Sequence, residues 1–338
     1  MQNGIRERML SVQLGEAQFY KNITIVPLIA EADGTFQYDT LGEALATGTV
    51  AITEVSNSGS VPELLVVNRG NKSVLLIDGE ELAGAKQNRV LNTSILLKEK
   101  SETKIPVSCT EQGRWAYASK AFSESGHVMA YKSRSRKTSS VHFFLSSSGA
   151  HQSNQAEVWD GIAELQAKAC FKSPTSAMSD VYKAREDALR KCDELFKPLP
   201  NQVGMLAFIN AAPAGVDLVS RPGAYARLHP KLVRSYTLEG LLEKSATRSE
   251  GEAALSPPAD VITFQARQFL DEITTAEEQQ FPSVGYGTDH RFKGKDFAGA
   301  ALVHENEIIH AAFFRLQDNK QPEEGLASYL RRQRHFSA

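Results

Sequence analysis

Short apolar runs recur through the first 108 residues, each closed by Asn, Gly or Ser, and they leave little chain between them for helix. Ile23–Ile29, Val50–Val55, Leu64–Asn68, Ser73–Ile77, Val90–Leu97 and Lys104–Ser108 read as strands. The residues between them accept the unusual backbone angles of tight turns. Leu41–Ala46 reads as a short piece of helix. Short strands at this spacing predict a mainly antiparallel β part, folded as a sandwich or roll.

The pattern changes after residue 118. Residues 119–155 are rich in serine and carry the basic run Lys132-Ser133-Arg134-Ser135-Arg136-Lys137. They read as a long surface excursion, with a phosphate-gripping loop as the sharper alternative. Val158, Ile162, Leu165 and Ala169 then recur at helical spacing, as do Met178, Val181, Ala188, Cys192 and Leu195 behind Ser173-Pro174-Thr175-Ser176. Met205–Ile209 and Val216–Val219 read as a strand pair around an Ala-Pro-Ala-Gly turn. Pro230 reads as the opening of a helix with Leu232, Val233, Tyr236 and Leu241 on its inner side. Residues 244–259 read as a polar loop, followed by a helix with Ala266, Phe269, Ile273 and Ala276 on one face. Ala300–His304 and Ile308–Phe313 belong to a closing set of strands, with Glu305-Asn306-Glu307 as a hairpin turn. The expected fold is α+β. It has a β part over 1–118, the excursion at 119–155, and central helices with an α+β sheet over 156–316, whose helices lie on one face. The two main parts are expected to pack as one unit, with a charged tail at 317–338.

With 338 residues the chain is long enough for one large domain or two ordinary ones. Its formal net charge of −2 gives no field that favours nucleic acid or acidic membranes. The three cysteines, Cys109, Cys170 and Cys192, are odd in number and widely spaced, which argues for a reducing compartment over a disulfide framework. Cys170 and Cys192 fall in the helical region and read as small buried apolar residues. The N-terminus lacks the apolar core of a signal peptide, and no run approaches the roughly 18 apolar residues of a membrane span. A cytoplasmic protein with neither nucleic-acid nor membrane partners is expected.

Two compact polar stretches follow strand candidates, Gly79-Glu80-Glu81-Leu82-Ala83-Gly84-Ala85-Lys86-Gln87-Asn88-Arg89 and Pro106-Val107-Ser108-Cys109-Thr110-Glu111-Gln112-Gly113-Arg114-Trp115. Charge so dense at strand ends is costly to bury and marks a candidate site. A chain reversal at Gly84 would let Glu81 meet Arg89 on adjacent strands. Glu81 would then be a general acid or base tuned by the arginine, or half of a cross-strand ion pair. Lys86, Gln87, Asn88 and Arg89 form a donor cluster. Cys109 is the candidate nucleophile, because Arg114 would favour its thiolate, with a buried structural thiol as the alternative. The span from Cys109 to Arg114 has the length of a rhodanese active-site loop, although no clear helix follows it. Glu111 is a second candidate catalytic carboxylate, Arg114 an anion-binding group, and Trp115 a ring for stacking or packing.

His304 and His310 straddle the expected hairpin with no HExxH or paired CxxC beside them, so no metal site is assigned and any cofactor is left open. Asp289-His290-Arg291 reads as a polar turn. Walker, GxGxxG and GxSxG motifs are absent.

The stretches Leu76–Arg89 and Ile105–Trp115 resemble the signatures of the ADP-ribosylglycohydrolase and rhodanese-phosphatase-associated protein domain family. Ser173-Pro174-Thr175 and Leu232-Val233-Arg234-Ser235-Tyr236 are similar to it too, and the resemblance runs from about Asn22 to about Phe314. That family is largely uncharacterised, and its name records the proteins it is found beside. The resemblance implies the handling of ADP-ribose-like or other small phosphorylated nucleotide-derived compounds. It also points to Glu81, Gln87, Arg89, Glu111 and Arg114 as one site. In a hydrolase or transferase, Arg89 and Arg114 would bind anionic oxygens, Glu81 or Glu111 would act as general base, and Gln87 and Asn88 would orient the substrate. In a non-catalytic ligand- or partner-binding domain, the glutamates would neutralise and position the arginines. Geometry separates the two, because an enzyme needs one carboxylate free beside anion-binding donors in a concave site.

Overall fold

The computed structural model describes residues 3–30, 34–56, 62–243 and 258–316. The expected charged tail, and most of the polar loop before residue 259, lie outside the described residues.

The fold is α+β. A nine-stranded antiparallel sheet runs in the order Gln13–Leu14, Ile23–Ile29, Gln202–Ile209, Ala212–Val219, Glu307–Arg315, Phe297–His304, Thr288–Lys293, Glu277–Pro282, with Gln18–Tyr20 also paired to Ile23–Ile29. A strand from the N-terminal β part therefore sits inside a sheet otherwise built largely from residues 202–315. Alternate residues of a strand point to opposite faces. Val26, Leu28, Leu206 and Phe208 pack with the helices Asn3–Ser11 and Ala259–Ile273. Ile23, Ile25, Met205 and Ala207 pack on the other side with the long helix Pro222–Leu242. Helices thus cover both faces of this sheet, in place of the one face expected. Burial on both sides explains why Ile23–Ile29 is apolar almost without alternation.

Two smaller sheets form a sandwich. One has the order Ile95–Leu97, Ser73–Leu76, Tyr38–Thr40; the other Phe122–Val128, Glu80–Gly84, Arg89–Leu91, Ser101–Cys109, Glu63–Asn68, Val50–Glu54. Val74, Leu76, Ile95 and Leu97 meet Leu64, Val66, Ile105 and Val107 between them. The single strand expected at Val90–Leu97 is two strands in different sheets. Buried Asn92, Thr93 and Ser94 carry the chain across.

Residues 122–148 overturn the surface-excursion reading. They form an edge strand and then the helix Tyr131–Ser148, which Gly149 ends in the left-handed conformation at φ 71°. Arg134 and Lys137 of the basic run are buried. Arg134 donates two hydrogen bonds to Asp217 (3.1 and 2.8 Å) and lies 3.5 Å from an Asp78 oxygen, while Lys137 pairs with Asp78. Tyr236 completes the group by donating to Asp217 (2.7 Å). The basic run reads as solvated because its acids lie 59 and 83 residues away in the chain.

Smaller departures have local causes. The helix expected from Met178 to Leu195 is two helices divided at Arg185, whose φ of −116° and ψ of 11° break the helical path. Cys192 is buried, but Cys170 is exposed at φ 48°, just past the end of the helix Gln155–Lys168. The turn between Gln202–Ile209 and Ala212–Val219 is Asn210-Ala211 (φ 52° and 64°), and the Ala-Pro-Ala-Gly segment lies in the following strand. The long helix opens at Pro222, not at Pro230, which lies inside it. Glu305-Asn306 (φ 50° and 63°) makes the C-terminal hairpin turn where the sequence places it.

Candidate functional site

The chain does reverse after Gly84 (φ 123°) and Ala85 (φ 40°), so that Glu80–Gly84 pairs with Arg89–Leu91. The register sets Glu81 opposite Val90 and Leu82 opposite Arg89. Directly opposed residues share a face and their neighbours take the other. Arg89 therefore follows Leu82 and Leu91 toward the sandwich core, and Glu81 follows Val90 toward the helices. The expected meeting of Glu81 with Arg89 does not occur.

Glu81 is fully buried and accepts a hydrogen bond from Thr110 (2.7 Å). Burial pushes its carboxyl up to about 7, against the pull of Thr110 in the other direction. Neighbouring Glu80 is also fully buried and pairs with Lys231, which lies 2.5 Å from Glu124 as well.

Glu111 and Arg114 hold each other and the turn around them. Glu111 Oε2 accepts from Arg114 Nε (2.9 Å), Arg114 Nη2 (2.6 Å) and the Asn88 backbone (3.2 Å), and Oε1 accepts from Thr175 (2.9 Å). Arg114 also donates to the carbonyls of Ala85 (2.7 Å) and Ala116 (2.9 Å) and to Asn88 Oδ1 (3.2 Å). Burial pushes the Glu111 carboxyl up, but the bonds from Arg114, Thr175 and Asn88 outweigh it and hold the group below the usual range. A carboxylate so engaged is a poor base, and an arginine so engaged clamps a turn.

Arg89 lies apart from that clamp. It is fully buried, and its Nη1 donates to Gln87 Oε1 (2.8 Å) and to Cys109 Sγ (2.8 Å) on the neighbouring strand. The Trp115 ring centre lies 5.8 Å from its guanidinium carbon, and Lys86 Nζ lies 5.2 and 5.3 Å from the Trp115 and Tyr117 rings. Burial raises the Cys109 thiol further than Arg89 lowers it, so Cys109 is held as the neutral thiol and does not have the expected character of a nucleophile. Lys86, Gln87, Arg89, Cys109 and Trp115 are thus brought together. Asn88, Glu111 and Arg114 form the clamp beside them, and Glu81 is on the other face.

A cleft that the motifs did not indicate opens elsewhere. Its volume is about 240 Å³, and it is lined by Tyr38, Asp39, Glu43, Lys72, Arg221 and Arg227 together with the first turn of Pro222–Leu242. Arg221 precedes that helix with no side-chain cap, and the Tyr225 backbone N–H bonds back to Arg221 (2.9 Å). The N–H groups of Gly223 and Ala224 belong to the first turn, which has no intrahelical acceptor for them. Lys72 pairs with Asp39 (3.1 Å) and Arg227 with Glu43 (2.5 Å). The signal for this site was Arg221-Pro222-Gly223, a proline at a helix start.

The buried charges around Asp217 enclose only a small space. Ser94 Oγ and His310 Nδ1 lie 2.7 Å apart, and His310 Nε2 lies 3.6 Å from Asp217. Serine, histidine and aspartate in that order have the make-up of a nucleophile relay. Here Asp217 is committed to Arg134 and Tyr236, Ser94 Oγ accepts from the Asp78 N–H (2.9 Å), and the cavity of about 10 Å³ has room for roughly one water. The group is a joint between the sheets. Asp289-His290-Arg291 is part of a buried strand, not a turn: Arg291 bonds Asp289 (2.7 Å), and His290 bonds Glu278 (2.6 Å). His310 pairs across the hairpin with Leu302, and His304 stacks on Tyr286 with ring centres 4.9 Å apart, so the two histidines do not converge. Among the described residues no group of three or more His, Cys, Asp or Glu is placed to hold a metal ion, and no helix is long and apolar enough to cross a membrane.

No curated protein and no solved structure matches the chain. A family model does, over residues 11–314, which takes in both sheets of the sandwich, the central helices and nearly all of the large sheet. On that match the chain belongs to the ARPP-1 family, the ARG and Rhodanese-Phosphatase-superfamily-associated Protein domain.

Proposed function

We propose that the protein is a non-catalytic binding domain for a small phosphorylated compound of ADP-ribose-like character, and that it takes the phosphate in the cleft at the start of Pro222–Leu242. The observation that carries this reading is the cleft itself. Lys72, Arg221 and Arg227 line a space of about 240 Å³ into which the positive end of a 21-residue helix opens. The ion pairs of Lys72 and Arg227 are largely exposed, and such pairs hold their partners weakly, so both cations are available to a phosphate. The volume suits a phosphate or ribose phosphate, with the remainder of a larger compound left outside. Turnover is the less favoured reading because Glu111 is fully engaged and Glu81 is fully buried. A cytoplasmic setting fits, given the free thiol of Cys170 at the surface.

Calorimetric titration with inorganic phosphate and ADP-ribose tests the proposal. Saturable binding is expected. Arg221→Ala or Arg227→Ala should weaken it about tenfold, the usual effect of losing one charge-assisted bond. Absence of binding by both compounds, or binding indifferent to both substitutions, would remove the cleft from consideration. Chromatography of ADP-ribose after long incubation tests the non-catalytic part, and product formation would restore the enzyme reading.

A further inference from the structure

Arg89 carries a positive charge into the interior, and no carboxylate among the described residues is paired with it. Nη1 is used by Gln87 and Cys109, while Nε and Nη2 have no hydrogen-bond partner. These two nitrogens share one edge of the guanidinium plane, and their parallel N–H bonds match the two oxygens of a carboxylate or phosphate. The other two fully buried arginines leave only Nε of that edge unpartnered: Arg291 gives Nη2 to Asp289, and Arg134 gives both terminal nitrogens to Asp217. A buried guanidinium with neither anion nor acceptor on a whole edge is strongly unfavourable unless something visits it.

The surroundings suit a visitor. The Trp115 ring centre lies 5.8 Å from the Arg89 guanidinium carbon, yet the side chain is 51% exposed, so it is not locked in the core. Lys86, between the Trp115 and Tyr117 rings, brings a second cation to the same corner. Glu54 Oε2 is also buried without a partner. Its Oε1 accepts from the Lys86 N–H (3.5 Å), and its charge reaches Cys109.

We propose that the Nε–Nη2 edge of Arg89 is the recognition edge of a binding site for a small carboxylate or phosphate oxyanion, which enters when the Trp115 side chain swings out. The site uses none of the residues of the Pro222–Leu242 cleft, and it stands or falls separately.

The chain has two tryptophans, so a Trp159→Phe protein reports through Trp115 alone. Its fluorescence is followed during titration with inorganic phosphate, glycolate and acetate. A saturable change is expected with at least one of the three. It should be about tenfold weaker in Arg89→Met and unchanged in Arg227→Ala. No saturable change with any of the three, or a change that Arg89→Met leaves intact, overturns the site. If Arg89→Met does not fold, Trp115→Ala, which removes an exposed ring, decides by calorimetry. Phosphate binding that persists when Arg227→Ala is added, and is several-fold tighter than with Trp115 present, supports the site. Equal or weaker binding rejects it.

Discussion

Arg134 and Asp217 are joined by two hydrogen bonds, 3.1 and 2.8 Å long, with neither side chain exposed. One residue comes from the helix Tyr131–Ser148 and the other from the middle of the large sheet, so the pair ties the sandwich region to that sheet. Removing one partner strands the other charge, whereas removing both does not. Arg134→Met should cost about 3–5 kcal/mol, and Arg134→Met combined with Asp217→Leu markedly less. Urea unfolding of the single and double variants checks this; a double variant as unstable as the single would show that the pair itself, and not the stranded charge, matters. Burial alone would raise the Asp217 carboxyl, but Arg134 and His310 hold it well below its usual range. The stabilisation is thus complete at neutral pH and is lost only as strong acid protonates Asp217.

Glu81 behaves in the opposite sense. Its carboxyl is pushed up to about 7 when folded, so between the ordinary glutamate value and 7 the unfolded chain has released a proton that the folded one keeps. Stability therefore falls as pH rises through that window, by an amount on the order of 3 kcal/mol. Glu81→Gln keeps the shape and cannot ionise. It should match the parent protein closely at pH 4, where the glutamate is largely neutral in both the folded and the unfolded chain, and exceed it at pH 8. Denaturant midpoints at the two pH values decide, and parallel profiles would count against the buried acid.

Arg114 clamps the segment that carries Trp115. Its bonds to Glu111, Ala85, Ala116 and Asn88 are lost in Arg114→Ala. The expected result is faster amide exchange over residues 112–121, with a global loss of only about 1–2 kcal/mol because the guanidinium is partly solvated. Unchanged exchange there would mean that the turn holds itself.

Ala211 sits at φ 64°, after Asn210 at φ 52°, in the two-residue turn of a hairpin. A Cβ is strained in that region and glycine is not. Ala211→Gly should raise stability by about 1 kcal/mol, read as a higher melting temperature. A lower one would mean that glycine's greater freedom in the unfolded chain outweighs the relief of strain.

The three thiols should divide by burial. Cys170 is exposed, Cys109 and Cys192 are buried, and burial pushes Cys192 up to about 11. A colourless-to-coloured disulfide reagent should titrate one thiol in the native protein and three in denaturant. Two or more reacting natively would show that the packing over Cys109 or Cys192 opens readily.

Several elements were legible because their signal is local. Ile23–Ile29 is a strand with the same limits in sequence and structure, and the turn at Glu305-Asn306 lies where the alternation on either side of it stops. The helical spacing of Val158, Ile162 and Leu165 identifies their helix. The turn chemistry of Ala-Pro-Ala-Gly misled, because a proline at a strand's start resembles one in a turn. Of the expected single site of Glu81, Gln87, Arg89, Glu111 and Arg114, only Gln87 and Arg89 meet; Arg114 and Glu111 form a separate clamp and Glu81 lies on the other face, because register and face are not written in short stretches.

The sequence by itself determined the class of fold, the run of short strands and the two stretches where polar groups concentrate, because backbone preference and side-chain alternation act over a few residues. The tertiary structure alone decided that Glu81 and Arg89 face opposite ways, since one step of register reverses every side chain. It alone decided that Lys137 and Arg134 meet acids 59 and 83 residues distant, and that a cleft forms where Lys72 comes beside Arg221. Pairing across such separations depends on how whole sheets and helices stack, which no short stretch of chain encodes.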